Sequence, residues 1–176
     1  NSVTKSVLVR SVFSVLAAAT LIPSVVEAQA DTYAAEIATL AQNPKVAAAL
    51  ENIDERDART MADLLELTEI PAPPFGEEAR GQRFLRKLQD LGVDSTWVDA
   101  EGNVLGLRRG ADSDYVVAIT GHLDTVFPEG TDVTVRQRGD TLFAPGIGDD
   151  TRGLAAMLAV LRALNESDIQ TQADLL

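Results

Sequence analysis

The run DYVVAITG, residues 114–121, constrains the fold of this chain more than any other segment. Residues 115–119 are all apolar, which is typical of a strand that is buried on both faces of a sheet. Such a sheet needs cover on each face, and in α/β proteins helices supply it. The run therefore predicts a central strand in an α/β domain.

Helical periodicity dominates the segments before this strand. Apolar residues recur at helical spacing over residues 31–42, and Pro44 suits the first position of a second helix, which is expected to run through Leu50. A third helix is expected to be capped by Asp54, and a fourth to end near Gly92. The first half of the chain is therefore predicted to be mainly helical.

Two hairpins and one more helix complete the pattern. After Gly92 the period changes to two, with one turn at residues 101–103 and another at residues 138–139. Residues 151–164 predict an amphipathic helix. Its inward-facing residues are expected to be Leu154, Met157, Leu158 and Leu161. Together these elements predict a three-layer α/β/α domain.

The first 30 residues have the pattern of a secretory signal peptide. Lys5 and Arg10 precede an uncharged, largely apolar stretch over residues 11–22, and Ala-Gln-Ala at 28–30 is a small-x-small cleavage pattern. The alternative is a membrane anchor, but a proline and a glutamate interrupt the run before the roughly 20 apolar residues that span a bilayer. We expect a secreted or periplasmic protein with no stable membrane anchor.

Charge and cysteine content exclude several functions. The formal net charge is −12, which repels phosphate backbones and argues against a nucleic-acid partner. The chain contains no cysteine, so thiolate zinc sites and cysteine nucleophiles are excluded. Any metal must therefore be held by histidine, aspartate or glutamate.

His122, the single histidine of the chain, follows the predicted central strand, and Asp124 lies two residues further on. Residues i and i+2 of an extended segment point to the same face, so the two side chains can be neighbours. A metal-bound histidine usually donates its second ring N–H to a carboxylate. A solvated loop histidine with no ligand role is the alternative, and a bare His-x-Asp favours it.

Asp149 and Asp150 lie between a glycine-rich approach and the helix that begins near Thr151. Taken alone, this pair is typical of a helix cap with a favourable charge at the positive helix end. Two carboxylates also bind cations, and one carboxylate can bridge two zinc ions. Both interpretations stay open at this point.

Taken together, the segments GHLDTVFP and GIGDDTRGLAAMLAVLRAL are far more specific. Their order and spacing resemble the dizinc peptidases and deacylases that include glutamate carboxypeptidase, acetylornithine deacetylase, succinyl-diaminopimelate desuccinylase and peptidase T. The resemblance covers roughly residue 54 to the C-terminus. It implies an α/β zinc-peptidase-like catalytic domain and two zinc ions in a complete active site.

The resemblance also implies roles for individual residues. His122 corresponds to a ligand of one zinc ion, Asp149 to the carboxylate that bridges both ions, and Asp124 to the catalytic partner that orients His122. Asp149 is preferred to Asp150 because DDTRGLA fits the family register from its first aspartate. Arg152 departs from the small residue that is common at its position.

The family also requires an adjacent Glu-Glu pair, a further acidic ligand and a distant histidine, which this sequence does not contain after Asp149. Glu77 and Glu78 precede the histidine motif and are expected at a helix start. We therefore expect a fragment, incomplete at the C-terminus, with a natural terminus as the alternative. The expected parts are a signal peptide (1–30), a helical segment (31–53) and the N-terminal part of the catalytic domain (54–176).

The activity implied by the resemblance is hydrolysis of an amide bond in a small peptide or N-acyl amino acid by a dizinc-bound water. Residues 31–176 alone are expected to be inactive. A homodimer formed through a domain not present here is left open. The alternative function is a non-catalytic binding domain that retains the peptidase fold.

Overall fold

The computed structural model describes residues 33–112 and 114–176. The predicted signal peptide, residues 1–30, lies outside these ranges. Among the described helices, none combines the length and the hydropathy needed to cross a membrane.

The chain divides after Pro44 into two compact units. Within the described part of the first unit, residues 33–41 are helical, in agreement with the predicted helix over 31–42. The second unit, Lys45–Leu176, contains both candidate site segments.

Four longer helices follow residues 33–41 in the described part of the chain. They are α1 (Pro44–Glu55), α2 (Asp57–Thr68), α3 (Glu78–Asp90) and α4 (Arg152–Glu166). The prediction that one helix ends at Leu50 and the next is capped by Asp54 is wrong, because α1 continues past both. No glycine or proline interrupts residues 45–70, and the Arg56 N–H still donates to the Asn52 carbonyl at 2.9 Å. Nothing in this stretch ends a helix before Glu55.

The described strands are short and form pairs. They are β1 (Ser95–Val98), β2 (Val104–Leu107), β3 (Val116–Val117), β4 (Arg136–Arg138), β5 (Thr141–Phe143) and β6 (Asp174–Leu175). β1 pairs antiparallel with β2, and β4 with β5, which confirms both predicted hairpins. In the first turn, Asp99 Oδ1 accepts the backbone N–H of Glu101 at 3.0 Å and of Asn103 at 2.9 Å. Gly139 adopts a φ of 59° in the second turn.

β3, the core of the predicted central strand, pairs in parallel with β6. Reciprocal 2.9 Å hydrogen bonds between Arg108 and Leu175 connect this pair to the end of β2. The prediction that β3 is buried on both faces is wrong for the described residues, since Val116 is 57% exposed and Val117 50%. Among the described strands β6 alone pairs with β3, and the exposure of both valines shows that the described residues do not cover the faces of this strand.

The core of the second unit lies among α2, α3 and α4. Its buried residues are Leu67, Phe84, Leu88, Leu154 and Leu158, with Leu123, Met157 and Leu161 among the partly buried neighbours. The predicted inward face of the last helix is therefore confirmed. Helices and strands are both present, as an α/β fold requires, whereas the three-layer arrangement stays a prediction. Leu123 packs against this core and thereby connects the core to the segment of residues 121–125, called here the His122 segment.

A cluster of charged side chains joins the same three helices. Asp63 accepts hydrogen bonds from Lys87 at 2.7 Å and from Arg162 at 2.6 Å. Glu66 accepts one from Lys87 at 2.5 Å and another from Arg83. The Arg83 hydrogen bond is the main reason why the pKa of Glu66 falls from 4.5 to about 2, and Lys87 contributes to the same shift.

The low pKa of Glu66 predicts a specific loss of stability in acid. A carboxylate with a depressed folded-state pKa stabilises the protein above its unfolded pKa, and this contribution is lost as the pH falls. We expect Glu66→Gln to flatten the decline in unfolding free energy between about pH 4.5 and pH 2, as measured by urea denaturation. Glu51→Gln, which removes an exposed carboxylate from α1, is the control. An equally steep decline in Glu66→Gln and the wild type would contradict this assignment.

Candidate functional site

His122 lies just beyond β3, where the chain is still held beside β6 by the 2.8 Å hydrogen bond from the Ile119 N–H to the Leu176 carbonyl. Its ring Nδ1 is 3.0 Å from both the backbone oxygen and Oδ1 of Asp124. The spacing of two therefore brings the imidazole and the carboxylate together, as the sequence predicts. Since both neighbours of Nδ1 are acceptors, Nδ1 carries the proton in this contact.

Asp149 approaches the other side of the same ring. Its Oδ1 is 2.9 Å from His122 Nε2, although 27 residues separate the two in sequence. Asp149 lies in a turn, Ile147–Thr151, directly before α4, and the φ and ψ of Asp149 and Asp150 are not helical. The peptide bond between Asp149 and Asp150 is cis. The two candidate segments thus meet at the imidazole.

Gly146 makes the approach of this turn possible. Its φ is 76°, in the left-handed region that favours glycine. A Cβ at this position would lie 2.4 Å from Cγ2 of Thr125, so the turn also packs against the His122 segment too closely for any side chain. Glycine is therefore required at position 146 by both conformation and space.

The His122 ring lies between two carboxylates in an open site. The hydrogen bond with Asp149 is the largest cause of the raised pKa of His122. Partial burial acts in the opposite direction and lowers this pKa, whereas Asp124 raises it further. The side chains of His122, Asp124 and Asp149 are 48%, 41% and 86% exposed. The site is therefore accessible to a small ligand or an ion, which would compete with the Nε2 proton.

The segments that form this site are similar in sequence to known proteins. The sequence model of peptidase family M20/M25/M40 matches residues 118–176, the stretch that contains both candidate segments. Over this stretch the chain is therefore similar to the family. The M20/M25/M40 match confirms the resemblance inferred from the histidine and aspartate motifs, while the roles of the individual residues stay predictions.

Two curated relatives extend the similarity over more of the chain. The uncharacterized protein YqjE of Bacillus subtilis (strain 168) is 30% identical over 128 residues, which cover 65% of this chain and 33% of that protein. Carboxypeptidase G2 of Pseudomonas sp. (strain RS-16) is 28% identical over 126 residues, covering 66% and 30%. The chain thus spans about a third of the length of these relatives.

Asp150 has a role at this site that the sequence did not predict. Its Oδ2 accepts the backbone N–H of His122 at 3.2 Å. The carboxylate fits between two glycines, since a Cβ would lie 2.9 Å from it at Gly121 and 2.2 Å from it at Gly153. Gly121 and Gly153 are the sequence features from which the contact between Asp150 and the His122 N–H could have been predicted. The described hydrogen bonds at the start of α4 include no side-chain cap, so the prediction of a helix cap is wrong, whereas the favourable charge at the helix end stays a prediction.

Glu77 and Glu78 lie at a helix start, as predicted. Glu78 begins α3, and Glu77 Oε1 accepts the backbone N–H of Phe75 at 2.7 Å. This pair therefore has a local structural explanation.

The donor atoms at the site suit zinc. An imidazole nitrogen and a carboxylate oxygen, both common zinc ligands, converge at His122 Nε2 and Asp149 Oδ1. Across the described residues, no group of three or more His, Asp or Glu side chains is arranged to hold a metal ion. His122 and Asp149 fit as two members of a larger ligand set.

Proposed function

We propose that the full-length protein is a zinc-dependent hydrolase that cleaves an amide bond in a small peptide or N-acyl amino acid. The observation that carries the proposal is the 2.9 Å approach of Asp149 Oδ1 to His122 Nε2, within a segment that matches a peptidase family. One relative bears the name carboxypeptidase, which favours the peptide as substrate class.

In this proposal His122 and Asp149 would be metal ligands, and Asp149 would be the carboxylate shared by the two zinc ions of the complete site. Bound zinc would lower the pKa of water toward neutrality and polarise the scissile carbonyl. Asp124 accepts the Nδ1 proton of His122, so loss of the Nε2 proton to an incoming metal would leave the lone pair on the nitrogen that faces Asp149. The chain's own contribution is thus a ring held in one tautomer and orientation.

The proposal includes three further expectations. Residues 54–176 form the first part of a three-layer α/β/α catalytic domain, which the mixed helix and strand content supports. Residues 1–30 direct export, so the protein acts outside the cytoplasm. The homodimer through a further domain belongs to the same proposal.

The direct test is to purify the full-length protein, measure its zinc content and assay dipeptides and N-acyl amino acids. We expect hydrolysis of at least one class, loss of activity on treatment with a chelator, and recovery on addition of zinc, because ligands and activity are coupled through the metal. Hydrolysis that persists without metal would contradict the zinc mechanism. A folded protein that binds ligands from the panel and cleaves none would favour the binding-domain alternative.

A further inference from the structure

Arg80 is the largest fully buried side chain of the described residues, with 0% exposure. Its guanidinium is bound to two main-chain oxygens: Nε and Nη2 donate to the Ile70 carbonyl at 3.1 and 2.8 Å, and Nη1 donates to the Leu123 carbonyl at 2.7 Å. Burial lowers the pKa of Arg80, and the charge of Asp124 opposes this shift. A buried charge is costly unless it is well hydrogen-bonded, so an arginine at this position requires an explanation beyond packing.

The Leu123 carbonyl lies between the two residues that matter most for the ring. His122 precedes it, and Asp124, which holds Nδ1, follows it. A rotation of either adjoining peptide would therefore move the imidazole relative to its carboxylate partner. Arg80 fixes this carbonyl from the interior side of the segment.

The other contacts of the segment support the same conclusion. The backbone N–H of Thr125 donates to the Ala72 carbonyl at 2.8 Å, and its hydroxyl donates to the same oxygen at 3.2 Å. Arg80 and Thr125 together fasten the segment to residues 70–72. The His122 N–H is held in turn by Asp150, at 3.2 Å.

We propose that Arg80 is a positioning residue, which sets the orientation of the His122 imidazole by holding the Leu123 carbonyl against Ile70. The planar fork of a guanidinium can bind two carbonyls at once in a fixed geometry, which a lysine ammonium cannot reproduce. The link to metal binding rests on the proposed function, whereas the effect on the ring does not.

The test uses the full 176-residue chain, whose single histidine makes every imidazole signal that of His122. The variants are Arg80→Met, which removes the donors, and Arg80→Lys, which keeps the charge and loses the fork. We expect shifted or broadened ring ¹⁵N signals in Arg80→Met at fixed pH, and an intermediate change in Arg80→Lys. Arg80→Lys decides the question if Arg80→Met does not fold.

Arg83→Met is the matched control, because it makes the same substitution on the same helix at an arginine that contacts Glu66. Its His122 signals should equal those of the wild type. Unchanged ring signals in a folded Arg80→Lys and a folded Arg80→Met would overturn the proposal.

Zinc titration of the full-length protein, with and without Arg80→Met, separates this inference from the proposed function. If His122 is a zinc ligand, Arg80→Met should weaken zinc binding by roughly 10- to 100-fold, as changes in residues that orient ligands do. Full-length wild type that binds no zinc, together with altered ring signals in Arg80→Met, would count against the metal role and support the positioning role. Equal zinc affinity in wild type and Arg80→Met would contradict the positioning of a ligand.

Discussion

His122→Ala and Asp149→Ala are each expected to lower zinc content and amide hydrolysis together in the full-length protein. The first change removes an imidazole nitrogen and the second removes a carboxylate. The two donor atoms, His122 Nε2 and Asp149 Oδ1, are 2.9 Å apart. A zinc site with about three or four protein ligands per ion cannot lose one of them without a large loss of affinity. Zinc per protein and kcat/KM on one substrate are the two measurements.

Asp124→Ala provides the graded comparison for these variants. Asp124 contacts the ring nitrogen that faces away from Asp149, so its loss leaves both proposed metal donors in place. We expect a decrease of roughly 10- to 100-fold in zinc affinity or activity, smaller than the decrease in His122→Ala. Glu51→Ala, on the exposed surface of α1, should change neither. If His122→Ala kept the zinc content and the activity of the wild type, the site assignment would be wrong.

The sequence predicts those features of the fold that depend on local pattern. Gly92, Gly102 and Gly139 all adopt positive φ at or beside the helix end and the turns that were expected. The contact between His122 and Asp124 also follows from spacing alone, because neighbours at i and i+2 share a face of an extended segment.

Features that depend on distant residues could not be predicted in the same way. The burial of β3 is set by whatever covers the sheet, and the apolar pattern of Val116 and Val117 does not identify that cover. The Arg80 hydrogen bond to Leu123 joins residues 43 apart, and no local pattern marks an arginine on α3 as buried. Asp150 was seen in the sequence, but its binding to the His122 N–H requires the fold of both segments.

Gly153→Ala is expected to destabilise the protein by about 1–3 kcal/mol, the range typical of an overpacked site. The new Cβ would lie 2.2 Å from Oδ1 of Asp150 and 2.7 Å from its Cγ, so the whole carboxylate must move. Alanine is the better helix former by up to about 1 kcal/mol, and the observed change would therefore be a net loss despite a favourable backbone term. Urea denaturation measures it.

Gly148→Ala is the matched control, since a Cβ at Gly148 has no atom within 4 Å and Asp149 separates it from Asp150. Its unfolding free energy should stay within about 0.5 kcal/mol of the wild type. The cause of the Gly153 effect is tested by a double-mutant cycle with Asp150→Ala. Without the carboxylate there is nothing for the new methyl group to displace, so Gly153→Ala should cost little or even stabilise α4 in that background. A penalty of equal size in both backgrounds would show that Gly153 is required for a reason other than the contact with Asp150. The close packing around Asp150 would then no longer support its role in anchoring the His122 N–H.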